Sequence, residues 1–411
     1  MNTVGKEIQK AIVLWLSGAR LEDIRTLPEM EALLQQGASV ELDPSPIAER
    51  QNQYYQAASG RSPASFGFFD SLIPRNYTIQ EESLGRGTTP KLLPDMLRTA
   101  GWTVQYDERQ LSELAPCIQR WTSTTPGMPS CLIIKCEVRT IGSEAASSIA
   151  EALRIAKEAV GETGLLALFS DTQPARVKRF VNVNNFLAEM GVIEQDEQSG
   201  KVNWSNSLAY FTGHGQLWVN LQGREVQGAV HPQDEYEEVR NTLVKALPTK
   251  LRDIETAASV IEQVYRKEDL YSSEYLFCAP DLVIVFKPGY APSARSTRLE
   301  FDNATFTTSG VDETVFAGAH PSLLRGFLVA VAPSLAAGAT ASESAPLTSI
   351  VPTLLHALGI EYVDSNSPVI GTMFVPSYLE THPIRTGAQS QELSEEDEEL
   401  IINRLRDLGY V

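Results

Sequence analysis

Short, continuous apolar runs, bounded by turn formers and spaced by helical patterns, constrain this chain more than any other feature. They occupy 11–16, 131–136, 165–169, 281–286 and 327–331. Each is too short for a buried helix and does not alternate, which is the pattern of a strand covered on both faces. Between them, 28–36, 91–99, 144–160, 179–190, 232–247 and 347–358 read as helical segments. Alternating strands and helices predict an α/β fold, a three-layer αβα sandwich with a largely parallel central sheet.

In such a sheet, chemistry collects in the loops beyond the carboxyl ends of the strands: here 17–20, 137–142, 170–176, 287–295 and the turn around His320. The stretch 208–232 has a different pattern. LAYF and QLWVNL alternate about Thr212-Gly213-His214-Gly215, as in a hairpin. An inserted α+β subdomain is therefore expected at 195–275, between a first core part at 1–194 and a second at 276–385. In 386–411, acidic residues come first, arginines follow and Gly409 lies beyond, the pattern of an acidic C-terminal helix with a glycine stop.

With 411 residues, 43% of them hydrophobic, the chain has ample material for such a core. A net charge of -18 sets its surface against nucleic acid and anionic membranes. The run 11–16 is too short to span a bilayer and lacks a signal-peptide cleavage site, so the expected compartment is the cytoplasm. Cys117, Cys131, Cys136 and Cys278 show no CxxC spacing and read as reduced thiols. Phosphate-loop, dinucleotide-loop, zinc-protease, nucleophile-elbow and EF-hand patterns are all missing.

Several blocks follow one another along nearly the whole chain: AIVLWLSGAR with LPEMEALLQQG, SPIAERQNQYYQAASGRSPASFGFFD, KLLPDMLRTAGWTV, LFSDTQPARVKRFVNVNNFLAEMGVI, KVNWSNSLAYFTGHGQLWVNLQGREVQGAV, GAHPSLLRGFLVAVAPSL with LTSIVPTLLHALGI, and RLRDLGYV. In this order they resemble the type I phosphodiesterase/nucleotide pyrophosphatase family of the alkaline phosphatase superfamily. The resemblance implies two divalent ions, zinc or manganese, flanking a Thr or Ser nucleophile. Paired cations activate that nucleophile and stabilise both the attacking and the leaving oxygen.

Carried over position by position, the resemblance implies a degenerate site. The early metal-binding Asp falls on Ser17, the nucleophile on Arg50, a loop Asp and His on Glu137 and Val138, an Asp-His pair on Asp171 and Thr172, and a late His on His320. Arg50 stays protonated and is no nucleophile. Ser17, Val138 and Thr172 cannot replace carboxylate and imidazole ligands, although Glu137 offers one oxygen. Asp171 and His320 match but do not suffice to hold a dication.

The expectation is a pseudoenzyme without a cofactor, acting as a binding, scaffold or regulatory subunit for a protein partner or an active paralogue. One alternative is a divergent phosphoesterase or nucleotide pyrophosphatase that uses zinc or manganese at an altered site. The other is a sensor of phosphate or of a nucleotide. Candidate ligand-binding residues are Arg50, Asn220 and Arg224, the last two from the family-like Asn-Gly-Arg-Glu run. The blander roles stay open: Arg50 pairing with Glu49 or Asp171, Asp171 capping a turn, His320 as a loop histidine, and the Asn-Gly-Arg-Glu run holding the insertion to the core. His214 and His231 are expected on the surface.

Overall fold

The computed structural model describes residues 8–47, 49–81, 88–124, 128–196, 199–308, 313–362 and 367–385. The helix expected at 386–411 lies outside them. Strand β1 (Lys10–Ser17), helix α1 (Pro28–Gln36), strand β2 (Ala38–Asp43) and helix α2 (Arg50–Ser59) open the chain. A hairpin of β3 (Leu72–Arg75) and β4 (Thr78–Glu81) follows, then α3 (Leu93–Thr99), β5 (Thr103–Glu108), α4 (Leu114–Thr124), β6 (Ser130–Glu137), α5 (Ser143–Val160) and β7 (Leu165–Ser170).

The middle of the chain comprises β8 (Arg179–Val181), α6 (Val183–Glu189), β9 (Ala209–Thr212), β10 (Gln216–Val219), α7 (Asp234–Lys250), β11 (Ile261–Arg266) and β12 (Leu282–Phe286). After it, β13 (Gly326–Val331) and the two-residue strands β14 (Ala339–Thr340) and β15 (Ala345–Pro346) lead to α8 (Ile350–Ala357).

The main sheet has eight strands in the order β14-β2-β13-β7-β1-β6-β5, with β15 also on β2. Pairs β1/β6, β1/β7 and β5/β6 are parallel, and β13 alone runs against its neighbours β7 and β2. Successive residues of β1 serve opposite layers, as pleating requires. Ala11, Val13 and Trp15 pack with α2, α3 and α8, while Ile12, Leu14 and Leu16 pack with α1, α4 and α5. This is the expected αβα sandwich, its largely parallel centre buried on both faces.

The run 281–286, expected in the core sheet, pairs elsewhere. As β12 it joins an antiparallel sheet in the order β9-β10-β12-β11. A fully apolar run marks burial on both faces without saying which sheet supplies the neighbours. The residues beneath this second sheet include Phe186 and Leu187 of α6 and Leu243 and Leu247 of α7. The helix expected over 179–190 is also shorter, because Arg179–Val181 is a strand and Asn182 caps the helix by accepting the Asn185 N–H.

The hairpin expected around Gly213 is present, with Thr212 facing Gln216 across its turn. In the β3–β4 hairpin, Asn76 and Tyr77 both have positive φ, 48° and 60°, the geometry of a tight hairpin turn of the primed type. Cys117, Cys131, Cys136 and Cys278 form no disulfide, and Cys278 is only partly buried.

Candidate functional site

Parallel register brings the ends of three strands level. Ser17 faces Glu137 across β1/β6, and Trp15 faces Phe169 across β1/β7, which sets Asp171, just past β7, beside Ser17. Helix α2 begins at Arg50, with Glu49 as its cap, so the position that resembles a nucleophile sits at the first turn of a helix.

Here the guanidinium of Arg50 forms an ion pair with Glu137 and lies over the Phe316 ring, 5.2 Å from its centroid. Arg50 and Glu137 keep 38% and 49% of their side chains exposed, so the pair is worth at most about 1 kcal/mol of stability. Its importance is positional. Glu137, the one substitute oxygen for a metal, is committed to a cation. The partners considered from sequence, Glu49 and Asp171, are not the ones Arg50 uses.

A second cation enters from β6. The Lys135 ammonium lies 2.9 Å from Glu137 and over the rings of Trp15 and Tyr54, at 5.6 and 4.9 Å. Sequence reasoning passed over Lys135, although a lysine inside the apolar run 131–136 was a visible signal. Asp171 is 1% exposed, and its Oδ1 has no hydrogen-bond partner among the described residues. Burial pushes its carboxyl up, against the pull of the nearby Trp15 indole, the Ser17 hydroxyl and the Lys135 charge. Thr172 is buried beside it, its hydroxyl likewise without a partner among the described residues.

His320 is committed locally. Its Nδ1 accepts the Ser322 backbone N–H at 3.2 Å and meets the Ser322 hydroxyl at 2.7 Å, capping the turn Pro321–Leu323. Burial pushes its imidazole below the usual range. Val138 is buried and donates its N–H to the Ser17 carbonyl. The described residues hold no group of three or more His, Cys, Asp or Glu side chains placed for a metal ion. The donor set does not fit zinc or manganese, since one carboxylate is paired to arginine and the imidazole caps a turn.

The cap of α2 is itself unusual. Glu49 accepts the Asn52 N–H at 2.8 Å, placing a carboxylate on the helix N-terminus where anions are favoured. Burial and the neighbouring Asp70 push the Glu49 carboxyl up. Asp70 in turn accepts both the backbone N–H and Nδ1–H of His214, at 2.8 and 3.0 Å. His214, expected on the surface, is thus a partner of a buried carboxylate, with 22% of its side chain exposed. The two residues are separated by 144 positions, and nothing in either local sequence announces the pairing.

Asn220 and Arg224 carry the second sheet. The Asn220 amide donates to the carbonyls of Trp204 and Ser207 and accepts from the Tyr77 hydroxyl at 2.7 Å. Tyr77 stacks on Trp204 with centroids 4.0 Å apart, which fastens the β3–β4 hairpin to the second sheet. Arg224 donates to both oxygens of the buried Asp281, at 2.9 and 2.7 Å, and to Glu225 at 3.2 Å. These contacts tie the strands and turns of the second sheet to one another and to the β3–β4 hairpin.

No protein-family model and no curated protein matches the sequence. Solved structures do. Human ectonucleotide pyrophosphatase/phosphodiesterase 5 superposes with a TM-score of 0.55 at 14% identity, covering 88% of this chain and 97% of that one. The chain has an alkaline phosphatase-like fold of the nucleotide pyrophosphatase/phosphodiesterase kind. The murine counterpart gives a TM-score of 0.53 at 12% identity over 88% of this chain and 98% of its own. An inactive murine variant in complex with AMP gives 0.54 at 12% identity, covering 89% and 98%. Among the described residues, no helix is long and apolar enough to cross a membrane.

Proposed function

We propose that this phosphodiesterase-like chain has given up two-metal phosphoester hydrolysis and acts through binding, as a scaffold or regulatory subunit for a protein partner. One observation carries the reading. Arg50, at the position that resembles the nucleophile, is held between Glu137 and Phe316 at the start of α2.

A hydrolase of this kind needs an activated oxygen at that point, two cations beside it and an unoccupied helix N-terminus for the phosphoryl group. This cleft instead supplies its own cations. Arg50 and Lys135 both pair with Glu137, and the Glu49 carboxylate sits on the α2 N–H groups. Zinc and manganese have no role in this reading.

The test is hydrolysis of a generic aryl phosphodiester by the purified full chain, with and without added Zn²⁺ or Mn²⁺. No turnover above buffer is expected from the wild type or from Asp171→Ala. Metal-dependent turnover that disappears in Asp171→Ala would overturn the reading.

A further inference from the structure

The main sheet ends on β5, a six-residue strand that pairs with β6 on one side only. Thr103 and Arg109 turn their N–H groups inward, to the carbonyls of Pro129 and Lys135. Alternation along the strand therefore turns the backbone groups of Val104, Tyr106 and Glu108 outward. Among the described residues, these groups meet only two long side-chain contacts: Arg98 donates to the Val104 carbonyl at 3.4 Å, and Arg109 to the Glu108 carbonyl at 3.3 Å. We propose that this edge pairs antiparallel with the same edge of a second copy of the chain, joining the two main sheets into one.

An open strand edge is a template for pairing, and folded proteins blunt it with lysine, proline, a bulge, shortness or a cover. This chain does so elsewhere. At the β9 end of the second sheet Asn184 stands in for a strand: its Oδ1 accepts the Phe211 N–H at 2.9 Å, and its Nδ2 donates to the Phe211 carbonyl at 3.0 Å. The far end of the main sheet is the two-residue β14. Strand β5 has none of these devices. Its sequence TVQYDE contains no lysine or proline, its register with β6 is unbroken, and Thr, Val and Tyr favour strands.

Charge favours a second copy as the occupant. The whole chain carries -18, yet the stretch 91–124, which holds α3, β5 and α4, contains four Lys or Arg and four Asp or Glu. Two copies can meet here without the repulsion that the rest of the surface imposes. Centred on Tyr106, the pairing sets Val104 against Glu108 of the second copy, Gln105 against its Asp107 and Thr103 against its Arg109. The outward backbone groups then meet in register, no like charges face each other, and the two-fold axis closes the assembly as a dimer. Helices α3 and α4 flank the edge and widen the contact, since Arg98 reaches Val104 from one and the Cys117 thiol reaches Asp107 at 3.4 Å from the other.

Pairing of this kind does not depend on whether the cleft hydrolyses phosphodiesters. The test is sedimentation equilibrium of the full chain from about 1 to 200 µM, with hydrogen exchange read at both ends of that range. The mass should approach twice the 45.1 kDa of one chain, with a Kd below about 100 µM. The amides of Val104, Tyr106 and Glu108 should exchange at least tenfold more slowly in the dimer. Gln105 is exposed, so its variants spare the core. Gln105→Asp sets a carboxylate against Asp107 of the second copy and should weaken the dimer tenfold or more, whereas Gln105→Lys should preserve or tighten it. Val104→Pro removes an outward N–H and should weaken it as well; if that variant does not fold, the two Gln105 variants decide. A chain that stays single up to about 200 µM overturns the proposal and leaves the edge to a strand of a different protein. A dimer that Gln105→Asp and Val104→Pro both leave intact also overturns it, because its contact then lies elsewhere.

Discussion

The Arg224 guanidinium meets both oxygens of Asp281 in a setting where neither group reaches water freely, and Tyr236 adds a hydrogen bond to the same carboxylate at 2.8 Å. Breaking such a pair from one side strands a buried charge, which costs about 3–5 kcal/mol. Asp281→Ala should therefore lower stability by that amount in urea denaturation, and a loss under about 1 kcal/mol would refute the assignment. The arginine beside Asp281 holds its carboxyl down at about 2. Its contribution is present above the unfolded value, about 3.9, and fades only as pH falls through about 2.

His214 works in the opposite direction. The Asp70 and Glu49 charges raise its imidazole despite burial and Arg298, so its stabilisation is complete below the unfolded value of about 6.5 and is lost as pH rises through the higher folded one. Asp70, lowered by His214, contributes above about 3.9 and loses that contribution only in acid. Glu49 is raised, so it has the same sign as His214 over a more acidic range. Replacing the imidazole alone separates the two. His214→Gln should flatten the decline in stability as pH rises above about 6.5, as measured by urea midpoints at a series of pH values. An unchanged slope would mean that the decline belongs to other groups.

At the level of elements, what was legible from sequence tracks what is local. The strands 11–16, 131–136 and 165–169 and the helix 144–160 were readable because period and composition carry them, and they form the centre of the main sheet with α5. Strand β5 was less distinct, since its burial alternates with exposure at the sheet edge. The site divides along the same line. Arg50 could be placed by counting along one segment, but its partner Glu137 depends on the parallel register of β1 and β6. The β9–β10 turn shows the dependence of an element on such long-range contacts. Gly213 has φ +57°, and a Cβ there would lie 2.5 Å from Asp70 Oδ2. Gly213→Ala should cost about 1–3 kcal/mol through strain and displacement of the His214–Asp70 pair, read as a drop in the urea midpoint. A neutral substitution would show that the turn has slack.

For the whole molecule, the question is whether the cleft beyond β1, β6 and β7 responds to divalent cations. A ligand that binds only the folded state stabilises it by about 2.7 kcal/mol at a hundred times its Kd. With millimolar Zn²⁺ or Mn²⁺, a retained micromolar site would raise Tm measurably, and the effect would disappear in Asp171→Asn. The cleft argues for a flat response, because Glu137 is engaged by Arg50 and Lys135 and His320 caps its own turn. Nonspecific binding to a chain of net charge -18 is the competing source of a shift. It differs in two respects: it weakens with added salt and is indifferent to Asp171. A salt-resistant rise that depends on Asp171 would restore the divergent phosphoesterase as the better account. A flat trace, or a salt-sensitive one shared by Asp171→Asn, leaves the cations inside the cleft as those of Arg50 and Lys135.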